Sequence, residues 1–204
     1  VGVCIQLGEM YATGNRVPRD MSRAAEMYQQ ACDQGAVEVC NTLGEIYEKG
    51  QEIEGGMARA EELFRIACDG GSAAGCLNLG LAVASRDDKK TAAGLFERSC
   101  TAGWTAGCHR FALALENGEG VLPDLNRAIA LYDEACSNKF VDSCLAIGAL
   151  FVTGDRVERD VVRATRYYGT ALKLYDESCQ AGRANDCKER DRLRTRVAIL
   201  LASR

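Results

Sequence analysis

Apolar residues recur along the chain at i, i+3 and i+4 in five short stretches: Leu7, Met10, Tyr11; Leu43, Ile46, Tyr47; Leu79, Ala82, Val83; Phe111, Ala114, Leu115; and Ile147, Leu150, Phe151. That spacing is the buried stripe of an amphipathic helix. The residue after each first stripe position is small (Gly8, Gly44, Gly80, Ala112, Gly148), which weakens the helix but lets a neighbour come close. Gly14, Gly50, Gly118 and Gly154 follow, where a helix can end in the left-handed conformation. Asp20, Asp88, Asp124 and Asp160 then stand where a second helix needs an acceptor for its free N–H groups, with the weaker cap Gly56 at the matching site of the second stretch. Ala24, Ala60, Ala92, Ala128 and Ala164, each followed four residues later by an aromatic (Tyr28, Phe64, Phe96, Tyr132, Tyr168), give the second helix its apolar face. The pattern predicts five helix pairs.

Cysteines mark the period. They fall at 4, 32, 40, 68, 76, 100, 108, 136, 144, 179 and 187, so that after Cys4 they form five pairs spaced by eight: Cys32 and Cys40, Cys68 and Cys76, Cys100 and Cys108, Cys136 and Cys144, Cys179 and Cys187. From Cys4 through the second members, the steps are 36, 36, 32, 36 and 43 residues. A repeat near 36 residues is the signature of a solenoid, so the whole chain, 1–204, reads as one all-α array with second helices starting near Asp20, Gly56, Asp88, Asp124 and Asp160. The short step loses four residues between Cys76 and Asp88, which shortens a loop and keeps both helices. The long step gains seven between Asp160 and Cys179, close to two helical turns, and predicts a longer second helix. Cys4 has no partner within these residues, and the array is expected to extend upstream of Val1.

Each cysteine pair joins the end of one second helix to the start of the next first helix. Gly35, Gly71, Gly103 and Gly182 stand three residues after the first cysteine; in the fourth pair Lys139 takes that place, and Asn138 is expected to adopt the unusual conformation. Antiparallel helices joined in this way bring two Cα atoms into disulfide range. Zinc requires four ligands from closer knuckles, and a redox motif is commonly a single C-x-x-C, so the spacing favours disulfides over both. Disulfides persist in oxidising compartments: periplasm, cell surface or exterior, with the mitochondrial intermembrane space as the alternative.

Charge adds little. The net charge is −4, but residues 188–204 carry +4 through Lys188, Arg190, Arg192, Arg194, Arg196 and Arg204 against Glu189 and Asp191, leaving −8 for the rest. No sustained basic stripe suits nucleic acid, and no apolar run reaches the roughly 20 residues needed to span a bilayer. Only Pro18 and Pro123 interrupt the chain. The final segment, 188–204, reads as a capping helix with Leu193, Val197, Leu200 and Leu201 inward and its arginines outward.

The stretch AC-x2-G-x4-C-x2-LG-x2-Y-x2-G at 31–50 and RD-x3-AA-x2-Y-x2-AC at 19–32 resemble the Sel1-like repeat, and the paired cysteines are similar to the cysteine-rich branch exemplified by the Helicobacter cysteine-rich proteins. The resemblance covers about five repeats, with departures at the shortened loop before Asp88, at "RFALALENG" and after Cys187. It implies a bacterial, extracytoplasmic adaptor whose stacked helix pairs curve into a superhelix and bind a protein or peptide on the concave side. It also implies a rival, since some cysteine-rich members are described as penicillin-binding or weakly β-lactam-hydrolysing. An assembly factor in an oxidising organelle is a third reading.

The residues do not support an enzyme. S-x-x-K, S-D-N and K-T-G are all missing, and "SNK" at 137–139 has the wrong spacing. His109 is the single histidine, too few for a metal centre and without a triad, so it is expected at the surface or against a bound peptide. No catalytic residue, metal or cofactor is assigned. The binding residues expected are polar positions just after the second cysteines, Asn41 with Thr42, Asn78, and His109 with Arg110, which stack at repeat spacing. Trp104, in the turn between Cys100 and Cys108, is expected over the disulfide or as a contact anchor.

Overall fold

The stripes close into helices wherever the caps allow, and the computed structural model describes residues 1–50 and 56–202. Helix is the only regular structure among these residues. In chain order the helices are α1 (Gly2–Thr13), α2 (Met21–Asp33), α3 (Val37–Lys49), α4 (Gly56–Asp69), α5 (Ala73–Ala84), α6 (Lys89–Thr101), α7 (Thr105–Asn117), α8 (Leu125–Ser137), α9 (Val141–Thr153), α10 (Val161–Gln180) and α11 (Ala184–Ala202). Odd numbers up to α9 are first helices of a repeat and even numbers are second helices.

The four aspartates do what a cap requires. Asp20, Asp88, Asp124 and Asp160 accept the backbone N–H of Arg23, Thr91, Arg127 and Arg163 at 2.9–3.1 Å, each three residues on. The first helices α1, α3 and α9 end on left-handed glycines, Gly14 (φ 73°), Gly50 (φ 58°) and Gly154 (φ 70°), whereas α5 ends at Ser85 in right-handed backbone. The irregular steps resolve as the helix arithmetic predicts: α5 and α6 survive the shortened loop, and α10 runs 20 residues against 13 in α2, α6 and α8.

The small residue in each first stripe is explained by its partner aromatic. A Cβ at Gly44 would lie 2.5 Å from the Phe64 ring, at Gly148 2.5 Å from Tyr168, and at Gly8 and Gly80 2.6 Å from Tyr28 and Phe96. No side chain fits there, so glycine lets the aromatic of the second helix sit directly on the first helix. Ala112 holds the equivalent place on α7 and is fully buried.

At the joints, Cys32–Cys40, Cys68–Cys76, Cys136–Cys144 and Cys179–Cys187 are bonded with Cα atoms 4.4–4.9 Å apart, and Cys100 and Cys108 are each in a disulfide. Each closed ring is short, so a disulfide contributes roughly 2–3 kcal/mol in the chain-entropy account. The turns share one geometry: the N–H of Gly35, Gly71, Gly103, Lys139 and Gly182 donates to the carbonyl of the first cysteine at 2.8–3.0 Å. Here the structure corrects the expectation for the fourth joint. Asn138 keeps an ordinary φ of −81°, and Lys139 itself is left-handed (φ 65°), because the turn sets the conformation by position and not by residue type.

The chain divides into two compact units, Val1–Gly107 with Glu119–Val121, and Cys108–Gly118 with Leu122–Arg204. In the first, each helix from α1 to α5 packs on the next, and the first helices α3 and α5 also touch. In the second, α8 packs on α9, α9 on α10 and α10 on α11. Leu193 and Leu200 of α11 are buried and Val197 is half-buried, but Leu201 is 43% exposed. The inward stripe follows the 4-3 spacing of the first three, and Leu201 lies a further 100° round the helix. The basic segment is partly neutralised in place: Arg190 and Arg194 both reach Asp176 of α10, at 3.3 and 3.0 Å. Arg204 lies outside the described residues.

Candidate binding surface

Because every second cysteine is fixed at a joint, the residues just after it hold one register from repeat to repeat. On α3 and α5 that register builds a polar array. Asn41 donates its amide to Glu45 Oε1 at 2.9 Å, one turn along the same helix, and Asn78 of α5 donates to Asn41 Oδ1 at 2.9 Å and to Glu45 Oε1 at 3.2 Å. Asn41 is 6% exposed, while Glu45 and Asn78 are half-buried. The two asparagines are thus brought together, but Asn41 is not a free surface amide: its donor and acceptor are engaged in holding the other two side chains. Thr42 is exposed and returns its hydroxyl to the Glu38 carbonyl at 3.1 Å. Glu45, the centre of the array, is the residue that sequence reasoning missed; its position four residues after Asn41 was the available signal.

His109 corrects an expectation. It is 9% exposed on α7, not a surface residue, and its Nδ1 lies 2.9 Å from the Ser143 hydroxyl of α9. The ring sits between Phe140, 5.1 Å away, and Tyr132, 5.6 Å away. Burial holds the imidazole below its ordinary pKa, and Arg110 acts in the same sense while Asp142 opposes them. Tyr132 donates to Glu116 at 2.8 Å, and burial with that carboxylate pushes the phenol far up. A serine beside a histidine is half of a nucleophile–base arrangement. Ser143 is fully buried, however, and the pair is enclosed in the core of this unit.

Arg110 is exposed beside this core, and Trp104 stands 45% exposed in the turn before α7. Cys4 is a half-buried free thiol near Gln30 of α2 and Gln34, which follows that helix. Among the described residues no group of three or more His, Cys, Asp or Glu could hold a metal ion, and no helix is long and apolar enough to cross a membrane. A groove of about 430 Å³ opens beside the long helix α10, lined by Val141, Leu174 and Tyr175 with Asp142, Glu177 and Asp186 among its polar walls. Burial, then Asp142, Glu189 and Asp186, raises the Tyr175 hydroxyl.

A family model described as the Sel1 repeat matches residues 3–35, 37–72, 73–104, 106–140 and 141–182, one helix pair per match. No curated protein sequence matches the chain. Among solved structures, a Sel1 repeat protein from Oxalobacter formigenes superimposes with a TM-score of 0.78 at 23% identity, over 85% of this chain and 73% of that one. A protective antigen present in uropathogenic Escherichia coli strains, displaying an SLR fold, gives 0.73 at 21% identity over 93% of this chain but 44% of its own length. An immunity protein from Pseudomonas aeruginosa gives 0.56 at 17% identity, covering 87% and 67%. At these identities the likeness is one of fold.

Proposed function

The chain belongs to the Sel1 repeat family, and we propose that it is an extracytoplasmic, non-catalytic scaffold that binds a protein or peptide on the first helices of its first unit. Sel1 repeats generally mediate protein interactions. The observation that carries the reading here is the array of Asn41, Glu45 and Asn78: it links α3 to α5 and places hydrogen-bonding groups in fixed positions on a face between repeats. A rigid array limits the ordering cost of binding, and the disulfide at each joint reinforces that rigidity. The disulfides also support the compartment, because thiols so placed would be kept reduced in a cytosol. In this reading α11, which lies outside the matched repeats, closes the array.

The test is capture from an envelope extract, with the oxidised chain as bait, followed by Asn78→Ala and Arg110→Ala. Loss of a specific captured protein with Asn78→Ala but not with Arg110→Ala, which lies in the other unit, supports the assignment of the surface. Equal capture by both variants counts against it. The β-lactam reading is tested separately: turnover of a chromogenic β-lactam by the purified chain would overturn the non-catalytic assignment.

A further inference from the structure

Four half-buried carboxylates of this chain are paired with arginines of the same chain. Glu61 takes Arg65 and Arg86, Glu116 takes Arg156, Asp176 takes Arg190 and Arg194, and Asp186 takes Arg183. Glu45 is equally half-buried and forms no ion pair among the described residues. Its Oε1 accepts two amide hydrogen bonds, from Asn41 and Asn78, while Oε2 accepts none among those residues. A carboxylate that has lost part of its hydration is best stabilised by a positive charge, as those four are, or by a helix N-terminus, as is the half-buried Asp160 that accepts the Arg163 N–H at the start of α10. Glu45 has instead been oriented by neutral amides, with one oxygen left open.

We propose that Glu45, held by Asn41 and Asn78, is the receptor for a positively charged lysine or arginine side chain of the bound protein or peptide. The proposal rests on the scaffold reading above and names the chemistry its partner must present. Charge complementarity supports it. Glu9 holds the same register one repeat earlier, is exposed and unpaired among the described residues, and the chain as a whole is acidic. One repeat later the register is held by the half-buried Leu81, an apolar surface suited to the methylene stem of such a side chain. Because the amides already fix the carboxylate, the partner's cation meets an acceptor whose orientation is set before binding.

The side-chain amide resonances of Asn41 and Asn78 report on this site directly. The full oxidised chain, labelled with 15N, is titrated with a terminally blocked lysine-containing glycine–serine peptide and with the same peptide carrying acetylated lysines. The free-lysine peptide should move both amide pairs, the acetylated one neither, and added salt should weaken the effect. Glu45→Gln keeps an acceptor for both asparagines and removes the charge. It should keep the thermal midpoint and weaken the lysine peptide about tenfold, the scale of a lost charge-assisted hydrogen bond. Amides that stay in place with the free-lysine peptide, or equal binding by Glu45→Gln, overturn the proposal. The envelope capture separates the two readings: a specific protein retained equally by wild type and Glu45→Gln leaves the scaffold standing and removes Glu45 from it.

Discussion

Asn41 and His109 occupy the same register, one residue after the second cysteine of a joint, yet one belongs to a polar array and the other to a core. The difference lies in what the next joint supplies. Four residues after the first cysteine of that joint, Asn41's repeat is followed by Ser72, which caps α5 and donates to Glu38 at 2.9 Å. His109's repeat is followed by Phe140, whose ring lies 5.1 Å from the imidazole. Asn41 is surrounded by polar side chains, whereas the rings of Phe140 and Tyr132 flank the imidazole of His109 and leave it the Ser143 hydroxyl as its hydrogen-bond partner. Register places a side chain, but the adjoining repeat decides whether that side chain joins a polar array or an aromatic core.

Phe140→Ser should break the contrast most strongly, since it gives His109 the kind of neighbour that Asn41 has. Removing a half-buried ring is expected to cost about 2 kcal/mol, visible as a lower thermal midpoint. It should also return the His109 pKa toward its ordinary value, which NMR titration reads cleanly because the chain has one histidine. A large loss of stability with an unmoved pKa would show that burial by Phe140 is not what holds the imidazole down.

The wild type carries a pH signature of the same contrast. Burial depresses the His109 pKa in the folded chain, so below the ordinary value near 6.5 the unfolded chain binds more protons than the folded one. Stability from this residue is therefore complete above about pH 6.5 and falls as pH drops toward and through the depressed folded value. Chemical denaturation from pH 7.5 to pH 5 should show that decline, and His109→Asn should flatten it. Glu61, held low chiefly by its bond from Arg86, loses its contribution only at more acidic pH, below the usual carboxylate range, so the two effects separate. On the polar side, Asn41→Ala should cost less than the Phe140 change, about 1 kcal/mol, by leaving Glu45 and Asn78 one partner short each. A cost as large as that of Phe140→Ser would mean that Asn41 is core and that the distinction between the two positions fails.

Much of the fold was legible because it repeats. The 4-3 stripes, the aspartate caps and the eight-residue cysteine spacing each occur several times, so a single weak copy such as Gly56 could be read from its neighbours. The lengthened α10 was legible for a different reason: seven inserted residues can be absorbed only as helical turns if Cys179 is to return to the joint. The candidate binding surface was legible only in part. Asn41 and Asn78 stand at positions that repeat, but their hydrogen bond crosses from one helix to another 37 residues later, and the burial of His109 depends on Phe140 and Tyr132 from other elements. Pair contacts of that kind leave no period in the sequence. Glu45 was passed over because a glutamate one turn along a helix is common, and what singles it out is the lack of a cation that only the structure reveals.

The smallest expected effect isolates register from neighbour at the joint that belongs to His109. Lys139 is left-handed at φ 65° where the other four joints have glycine at the same turn position. A Cβ in that conformation costs about 1–2 kcal/mol, and glycine's greater freedom in the unfolded chain returns roughly half of that gain. Lys139→Gly should therefore stabilise the chain by about 0.5 kcal/mol, read as a slightly higher thermal midpoint, because the N–H of residue 139 still donates to Cys136. The His109 pKa should not move, since Phe140 and Ser143 stay in place. Stabilisation with a fixed pKa would show that the turn and the core beside it are set independently, whereas a shifted pKa would mean that the turn conformation itself positions the Phe140 ring.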